Sequence, residues 1–454
     1  MKRTTLSLPE PIWSELTSWL AEHDEVAAVL TARVINDDGG MTLLGRALHR
    51  APRDAYLERR HDGLSLRSSG WLPAVRRSRQ DGAMALFVHT HPHGRAVFSD
   101  YDDTVDDALW PAFVEHSGVP LYGSLVIAGT SQRPAVAGRM RAGHGSSWSI
   151  DSVRIVGDRL TVHTLGVDGP SEAAFDRQLR ALGSAGQAVL GQLNVGVVGA
   201  GGTGSPVTEQ LLRLGVGSIV VIDDDIVTPS TVARGYGSGR ADIDRPKVEV
   251  LQALADRIGL GTVVDAVCGN IRERRVAHML RHCDVVFCCA DGHAARLVLN
   301  RWAYRHLAPV IDIAVLVSST KDTVASVDGR ITWLAPGAAC LLCRGRIDPA
   351  MAYAEQLSPE ERRRLAEQGY APELDEPQPS VVTFTTLMAG FAVTELLNRM
   401  FGLADAVPTE ILLRLHDRKT SLNRRAPRPG CFCSTPSAWG LGLQEPYLDL
   451  TWAD

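Results

Sequence analysis

Asn194-Val195-Gly196-Val197-Val198-Gly199-Ala200-Gly201-Gly202-Thr203-Gly204-Ser205 reads as a short buried strand that turns through glycines straight into a helix. Glycines at 199, 201, 202 and 204 let backbone N–H groups approach phosphate oxygens at that helix N-terminus. A second strand, Ser218 to Ile222, ends in Asp223-Asp224-Asp225, which places Asp223 to bind a ribose hydroxyl. Strand and helix patterns alternate from here to about Arg399, as expected for a Rossmann-like, mostly parallel α/β sheet. Such a turn serves a dinucleotide as well as a mononucleotide, so an NAD site stays open on these residues alone.

Upstream, residues 1 to about 167 read as a separate α/β unit. An amphipathic helix from Pro11 to Glu22 leads into alternating strands. A helix follows from about Asp100 to His116, then strands over Leu121 to Ala128 and Val153 to Thr164, the latter turned by Gly157-Asp158. Val167-Asp168-Gly169-Pro170 is a linker, and a helical pattern runs from Ser171 to Leu190. Inside this first unit stands His89-Thr90-His91-Pro92 and, across seven intervening residues, Ser99-Asp100-Tyr101-Asp102. Histidines one residue apart share a face of an extended segment, and the apolar run Met84 to Val88 is that segment. Asp102 adds a third ligand from the helix that Ser99 begins. Two imidazoles and a carboxylate leave one tetrahedral position open, which marks a catalytic rather than a structural zinc. The plainer alternative is a helix capping box at Ser99-x-x-Asp102 beside an ordinary surface histidine pair.

The spacing resembles the JAMM metalloprotease motif of JAB/MPN domains: an upstream Glu, His-x-His, seven residues, then Ser-x-x-Asp. That resemblance implies zinc on His89, His91 and Asp102, with Glu25 as the general base and Ser99 helping to hold the tetrahedral intermediate. Glu22 and Glu58 also lie upstream. Glu25 is preferred because it opens the apolar stretch Val26-Ala27-Ala28-Val29-Leu30, a strand with the carboxylate at its mouth.

The second half resembles the ThiF/HesA/MoeB and ubiquitin-activating adenylyltransferases, which carry Asp-x-Asp, then Ser-Asn-x-x-Arg, then a Lys thirteen residues beyond the Arg. Here Asp223 and Asp225, Ser230-Thr231-Val232-Ala233-Arg234 and Lys247 hold that register. The strand Asp284 to Ala290, ending in Asp291 with Arg296 beyond it, resembles the family's Cys-Thr-Asp-Asn turn, whose Asp serves the metal-ATP. Phe175-Asp176-Arg177-Gln178 resembles the helix that lends an arginine to a partner subunit. The resemblance implies ATP and Mg²⁺ as cofactors and a homodimer in which Arg177 crosses over. Attack of a carboxylate on an α-phosphate brings two anions together, so Arg234, Lys247 and Arg177 would neutralise charge. Thr231 departs from the family's Asn, at a position where the resemblance implies a polar contact to ATP.

The eight cysteines begin only at Cys268, a distribution unlike a disulfide scaffold. Cys340-Leu341-Leu342-Cys343 and Cys431-Phe432-Cys433 are placed like the family's two pairs around a structural zinc, though the second pair is one residue tighter. Cys268, Cys283, Cys288 and Cys289 read as small apolar residues on buried elements. The crossover stretch from Arg344 to Thr383, where related activating enzymes keep a thioester cysteine, has none. A charged helical insert, Ser358 to Gln368, and Pro-rich Ala371 to Ser380 lie there instead.

At 454 residues the chain is long for one domain. A formal charge of -5 gives no footprint for nucleic acid or an anionic membrane, and no apolar stretch of about 18 residues marks a membrane helix. The N-terminus lacks an export signal, so a cytoplasmic protein is expected. Lysine occurs only at Lys2, Lys247, Lys321 and Lys419, which singles out Lys247 in a chain that otherwise uses arginine. The expected division is a JAB/JAMM metallopeptidase domain over 1–167, a ThiF-type adenylyltransferase domain over 168–430 and a zinc-closing tail over 431–454. Such a fusion resembles bacterial JAB–ThiF proteins, both halves of which act on the flexible C-terminal tail of a ubiquitin-like or sulfur-carrier protein. The resemblance thus implies (iso)peptidase cleavage and ATP-dependent adenylation of one tail. The rivals are a non-catalytic scaffold and adenylation of a peptide or small-molecule carboxylate in a biosynthetic pathway.

Overall fold

The computed structural model describes residues 3–164, 173–320, 323–367, 379–445 and 452. The linker Val167 to Pro170 and most of the Pro-rich stretch, 371–378, lie outside the described residues. The chain divides into two compact units: Met1–Gly157 with Thr161–Gly166 and Pro436–Gly442, and Asp158–Leu160 with Val167–Thr435 and Leu443–Asp454. The C-terminal stretch is therefore shared, with Cys431 and Cys433 in the second unit and Pro436 to Gly442 in the first. Among the described residues no helix is long and apolar enough to cross a membrane.

The first unit is built on β1 (Thr4–Pro9), β2 (Ala27–Asp37), β3 (Gly40–Arg50), β4 (Tyr56–Arg60), β5 (Gly63–Leu66), β6 (Met84–His91), β7 (Leu121–Thr130), β8 (Arg133–Ala142), β9 (Ser147–Ser149), β10 (Ser152–Val156) and β11 (Leu160–Thr164). Its helices are α1 (Glu10–Ser18), α2 (Leu72–Gln80) and α3 (Asp100–Ser117). Nine strands form one mixed sheet in the order β11-β10-β1-β3-β2-β6-β7-β8-β9, while β4 and β5 pair as a separate hairpin. Alternation along the central strands sorts two cores. Val26, Ala28 and Leu30 with Met84, Leu86 and Val88 join one apolar cluster. Ala27 and Val29 with Ala85 and Phe87 join the other, together with Val75 of α2 and Phe113 of α3. By the same period of two, His89 and His91 continue the Ala85/Phe87 face.

The second unit contains β12 (Asn194–Val198), β13 (Ser218–Asp223), β14 (Val263–Cys268), β15 (Val285–Cys288), β16 (Val310–Thr320), β17 (Thr323–Leu334), β18 (Glu410–Arg414) and β19 (Lys419–Asn423). Its helices are α4 (Asp176–Leu190), α5 (Gly204–Leu214), α6 (Pro229–Val232), α7 (Lys247–Ile258), α8 (Arg274–Ala277), α9 (His293–Arg305), α10 (Pro349–Ala354), α11 (Pro359–Glu367) and α12 (Val382–Phe401). The sheet order is β14-β13-β12-β15-β16-β17-β18-β19. From β14 to β16 all neighbours are parallel. From β16 to β19 they are antiparallel. The expectation of a mostly parallel sheet is thus corrected to a mixed one. Only two residues separate β16 from β17, far fewer than the dozen or so that a parallel crossover needs, so Val310 to Leu334 folds back as a hairpin. The parallel half keeps the reversal of strand order on either side of β12, and a ligand crevice opens at such a point beyond the carboxyl ends of the strands.

Candidate functional site

In the first unit the period-two alternation of β6 turns His89 and His91 toward α3. Their Nε2 atoms lie 3.1 Å apart, and His89 Nε2 is 2.9 Å from Asp102 Oδ1. His91 Nε2 is 3.6 Å from both Asp102 Oδ2 and Glu25 Oε1. Ligand atoms of His89, His91 and Asp102 all fall within 4.8 Å of one another. The capping box is real too. Ser99 caps α3, with its Oγ and backbone N–H donating to Asp102 Oδ2 at 2.8 and 2.7 Å. The two readings are therefore compatible: Ser99 holds one carboxylate oxygen and so aims the other at His89. Ser99 sits at the group's edge, and Glu22 is engaged by Arg50 and Arg59 instead.

Two imidazole Nε2 atoms converging beside a buried carboxylate form a donor set that suits zinc. His91 Nδ1 is 3.2 Å from the Arg95 carbonyl, the outer-shell partner that orients a ligating ring. Glu25 is 4% exposed. Burial above all, helped by Asp102 and Asp62, pushes its carboxyl up to about 7 against the pull of His91. Burial also works against the charged form of Asp102, but hydrogen bonds from His89, His91 and Ser99 outweigh it and hold that carboxyl far below the usual range.

In the second unit a cavity of about 540 Å³ opens at the carboxyl ends of β12, β13 and β15, lined by Gly199, Gly201, Gly202, Asp223, Asp225, Arg234, Lys247, Asp291 and Arg296 among others. The glycines differ in purpose. Gly199 has φ +95°, and a Cβ there would meet the Cys289 backbone at 2.8 Å; one on Gly204 would lie 1.7 Å from the Gly199 carbonyl. These two permit the turn itself. A Cβ on Gly201 would meet nothing, so that position faces open cavity.

Asp223 ties the turn to the second strand. Its Oδ2 accepts from the Ala200 N–H at 2.6 Å and its Oδ1 from the Asp225 N–H at 2.9 Å. Burial raises its pKa despite Lys247 and those N–H groups. Lys247 Nζ bonds Asp225 at 2.6 Å and lies 3.5 Å from Asp223. Arg234 and Asp291 reach the same space, and neither side chain has a hydrogen-bonded partner among the described residues. Thr231 is spent on the capping box of α6.

Arg296 lines the same cavity with its guanidinium already engaged on the protein side. Its Nε bonds the fully buried Asp312 at 3.1 Å, its Nη1 the Asp291 carbonyl at 2.9 Å and its Nη2 the Ile313 carbonyl at 3.4 Å. Arg330 holds the other Asp312 oxygen at 2.6 Å. This is a cavity wall braced from behind. Replacing Asp312 with Ala leaves two guanidinium groups without their common anion and is expected to cost about 3–5 kcal/mol of folding stability, read from urea unfolding. A loss under about 1 kcal/mol, the level of an exposed pair, would make the brace incidental. Arg177 is exposed on α4 and lies outside the cavity lining.

Several lining residues carry no local motif, among them Asn270, Arg272 and Glu355. Asn270 Nδ2 bonds Asp224 at 2.8 Å and its Oδ1 accepts from Arg272 Nε at 3.0 Å. Their position just past β14 was the available signal, because strand carboxyl ends line the crevice. Glu355 offers no such signal, since it arrives from a distant segment.

The four sulfurs of Cys340, Cys343, Cys431 and Cys433 also lie within 4.8 Å of one another, with Cys340–Cys431 at 3.7 Å and Cys343–Cys433 at 3.6 Å. All four are free thiols. Cys433 sits in the 3₁₀ turn Phe432–Ser434, which lets the tighter pair close. Backbone N–H groups of Cys343 and Arg428 point at Cys340 and Cys343 sulfurs, at 3.5 and 3.3 Å, the outer-shell bonds that thiolate ligands accept. The remaining cysteines correct one expectation: Cys283 and Cys288 are buried, but Cys268 is exposed and Cys289 half-buried. Cys268 ends β14, the edge strand, whose outer side has no strand beside it among the described residues.

A family model described as the ThiF family matches residues 175–433. SAMP-activating enzyme E1 of Haloferax volcanii is 29% identical over 182 residues, 40% of this chain and 64% of its own length. Molybdopterin-synthase adenylyltransferase of Escherichia coli is 27% identical over 175 residues, 38% of this chain and 68% of that protein. Sulfur carrier protein ThiS adenylyltransferase of Escherichia coli is 32% identical over 115 residues, 25% of this chain and 46% of that protein. The chain thus spans less than two thirds of the first and the last of these relatives. Residues 1–174 lie outside the family match. Because that match covers more than half of the chain and takes in every strand of the eight-stranded sheet, the chain belongs to the ThiF family.

Proposed function

We propose that this chain uses ATP to adenylate the C-terminal carboxylate of a ubiquitin-like or sulfur-carrier protein. The observation that carries this reading is the convergence of the glycine turn, Asp223, Arg234, Lys247 and Asp291 on one cavity. The open space at Gly201 and the α5 N-terminus suit phosphate oxygens, and Asp223 suits a ribose hydroxyl. Arg234 and Lys247 supply the cations that let a carboxylate approach an α-phosphate. Asp291, with Mg²⁺ arriving on the nucleotide, completes the set. The names of the relatives support this substrate class over a peptide or small-molecule acid. Arg177 would serve the site of a second copy in a homodimer.

The first unit, in the same reading, is a zinc (iso)peptidase of the JAMM type acting on the same tail. A zinc ion held by His89, His91 and Asp102 would supply Lewis acidity and water of lowered pKa. Glu25 is placed to take a proton, and Ser99 to orient Asp102 and the reacting carbonyl. A second zinc, held by Cys340, Cys343, Cys431 and Cys433, would be structural. These assignments, which make 1–167 the peptidase and 168–430 the adenylyltransferase, argue against a non-catalytic scaffold.

The reaction is expected to stop at the acyl-adenylate. A thioester needs an accessible, activated thiolate. Burial pushes the Cys288 and Cys289 thiols up, and the four clustered cysteines face one another. Cys268 is exposed, but its cross-strand neighbour is the carboxylate Asp223 rather than a basic group. Purified enzyme, Mg-ATP and candidate carriers encoded nearby should give ATP–pyrophosphate exchange and no reducible adduct on a non-reducing gel. Absence of exchange with every carrier would remove the adenylation reading. A reducible adduct lost in Cys268→Ser would instead place a thioester on the exposed strand end.

A further inference from the structure

The head of α9 stands immediately after Asp291, and its first N–H groups need acceptors. The N-cap is Gly292, and α9 has no capping side chain of its own. The acceptor comes instead from Glu355, at the C-terminal end of α10. Glu355 Oε1 accepts from the His293 N–H at 2.9 Å and Oε2 from the Ala294 N–H at 2.7 Å. A Cβ on Gly292 would stand 2.9 Å from Glu355 Oε2, so the missing side chain is what makes room for a carboxylate from outside. An anion is the favoured acceptor at a helix N-terminus.

Two more ties fasten the same segment. The Asp348 N–H donates to His293 Nδ1 at 3.1 Å, and Arg272 Nη1 donates to the Glu355 carbonyl at 2.9 Å. Arg272 in turn bonds Asn270 just past β14. Glu355, Arg272, Asn270 and Asp291 all line the cavity, as do Pro379 and Ser380 at the other end of the connection to α12.

We propose that Glu355 is a positioning residue whose carboxylate latches the α10–α11 segment onto the head of α9, and so fixes the turn that presents Asp291 to the nucleotide. A local Ser or Asp at the N-cap would satisfy the same N–H groups without involving α10. The use of a remote carboxylate couples the placement of α10 to the placement of the Asp291 turn. The catalytic consequence rests on the adenylation reading, whereas the latch itself does not.

The test uses the full chain. Trypsin cleavage after Arg362, Arg363 or Arg364 in α11 reports loosening of the α10–α11 segment, and a fluorescent ATP analogue with Mg²⁺ reports the cavity. In Glu355→Ala, cleavage there is expected to be about tenfold faster, the scale of losing a helix cap, and the analogue's Kd about five- to tenfold higher by the same scale. Glu355→Gln keeps one acceptor and loses the charge, so it should fall between the two. His293→Pro is the second route. Proline is preferred at the first helical position, and Gly292 already has the extended conformation that precedes one, with ψ 152°. That substitution deletes an N–H donor and the imidazole acceptor while leaving Glu355 in place, and it should loosen the α10–α11 segment as Glu355→Ala does.

Cleavage and Kd within twofold of wild type in both Glu355→Ala and His293→Pro would overturn the latch. Faster cleavage with unchanged Kd in both would overturn its link to Asp291. Failure of every carrier to support pyrophosphate exchange, with both variants loosened as expected, would sink the adenylation reading and leave the latch standing.

Discussion

Glu25→Gln is expected to lower cleavage of a carrier-tail peptide by about 10²–10⁴-fold, the range for loss of a general acid–base group, with the metal content unchanged. The substitution keeps volume and hydrogen-bonding capacity at a site only 4% exposed, so folding is not the variable. Glu25 Oε1 is 3.6 Å from His91 Nε2, yet Glu25 stands outside the group of His89, His91 and Asp102 whose ligand atoms all lie within 4.8 Å of one another. In contrast, His89→Ala with His91→Ala removes two of three donors and should lose one of about two zinc per chain, because the cysteine cluster is built from other residues. Hydrolysis of a fluorogenic tail peptide and elemental analysis of the same preparations separate the roles. Full hydrolysis in Glu25→Gln would assign the base elsewhere. Metal lost from Glu25→Gln would make it a ligand. Wild type with only one zinc, unaltered by the double histidine substitution, would remove the peptidase reading.

What made this group legible was short-range geometry. Residues 89 and 91 must share a face if 84–91 is a strand, and Asp102 must lie within the first turn of a helix capped by Ser99. Both inferences need only local periodicity. Glu25 needed more, because its place depends on β2 pairing with β6, where Ala27 stands opposite His89. The capping box and the ligand set looked like alternatives because a carboxylate was counted as one group. It has two oxygens, and Ser99 uses one.

The nucleotide cavity was legible for the residues that follow strands: Gly199 after β12, Asp223 at the end of β13 and Asp291 after β15. Three features escaped for one reason each. The hairpin of β16 and β17 is hard to read because the inner ends of both strands, Val310 to Ile313 and Ile331 to Leu334, are continuously buried, as the strands of a parallel sheet are, and the brevity of their connection is what distinguishes them. Arg296 is spent on Asp312, sixteen residues away, which no pattern around Asp291 announces. Cys268 reads as a small apolar residue on a buried element, but β14 is the last strand of its sheet among the described residues and its end is open.

Arg234→Ala is expected to lower ATP–pyrophosphate exchange by about 10²–10³-fold, the scale of removing one electrostatic stabiliser, with the thermal midpoint within about 2 °C of wild type, since changes away from core, cap and network features seldom exceed a few tenths of a kcal/mol. The reason lies in how the cavity's cations are already used. Lys247 is paired with Asp225, Arg296 with Asp312, and Arg272 with Asn270 and the Glu355 carbonyl. Arg234 has no such side-chain partner among the described residues, so its guanidinium contributes little to the fold and is free for phosphate oxygens, which it can meet bidentately. Arg296→Ala provides the contrast: it should also lose exchange, but with a lowered midpoint, because it takes one of two guanidinium partners from the fully buried Asp312 carboxylate. Exchange within threefold of wild type in Arg234→Ala would move the phosphate-binding cation elsewhere, with Lys247 released from Asp225 as the next candidate. A midpoint drop as large as that of Arg296→Ala would mean that Arg234 holds the cavity together rather than the nucleotide.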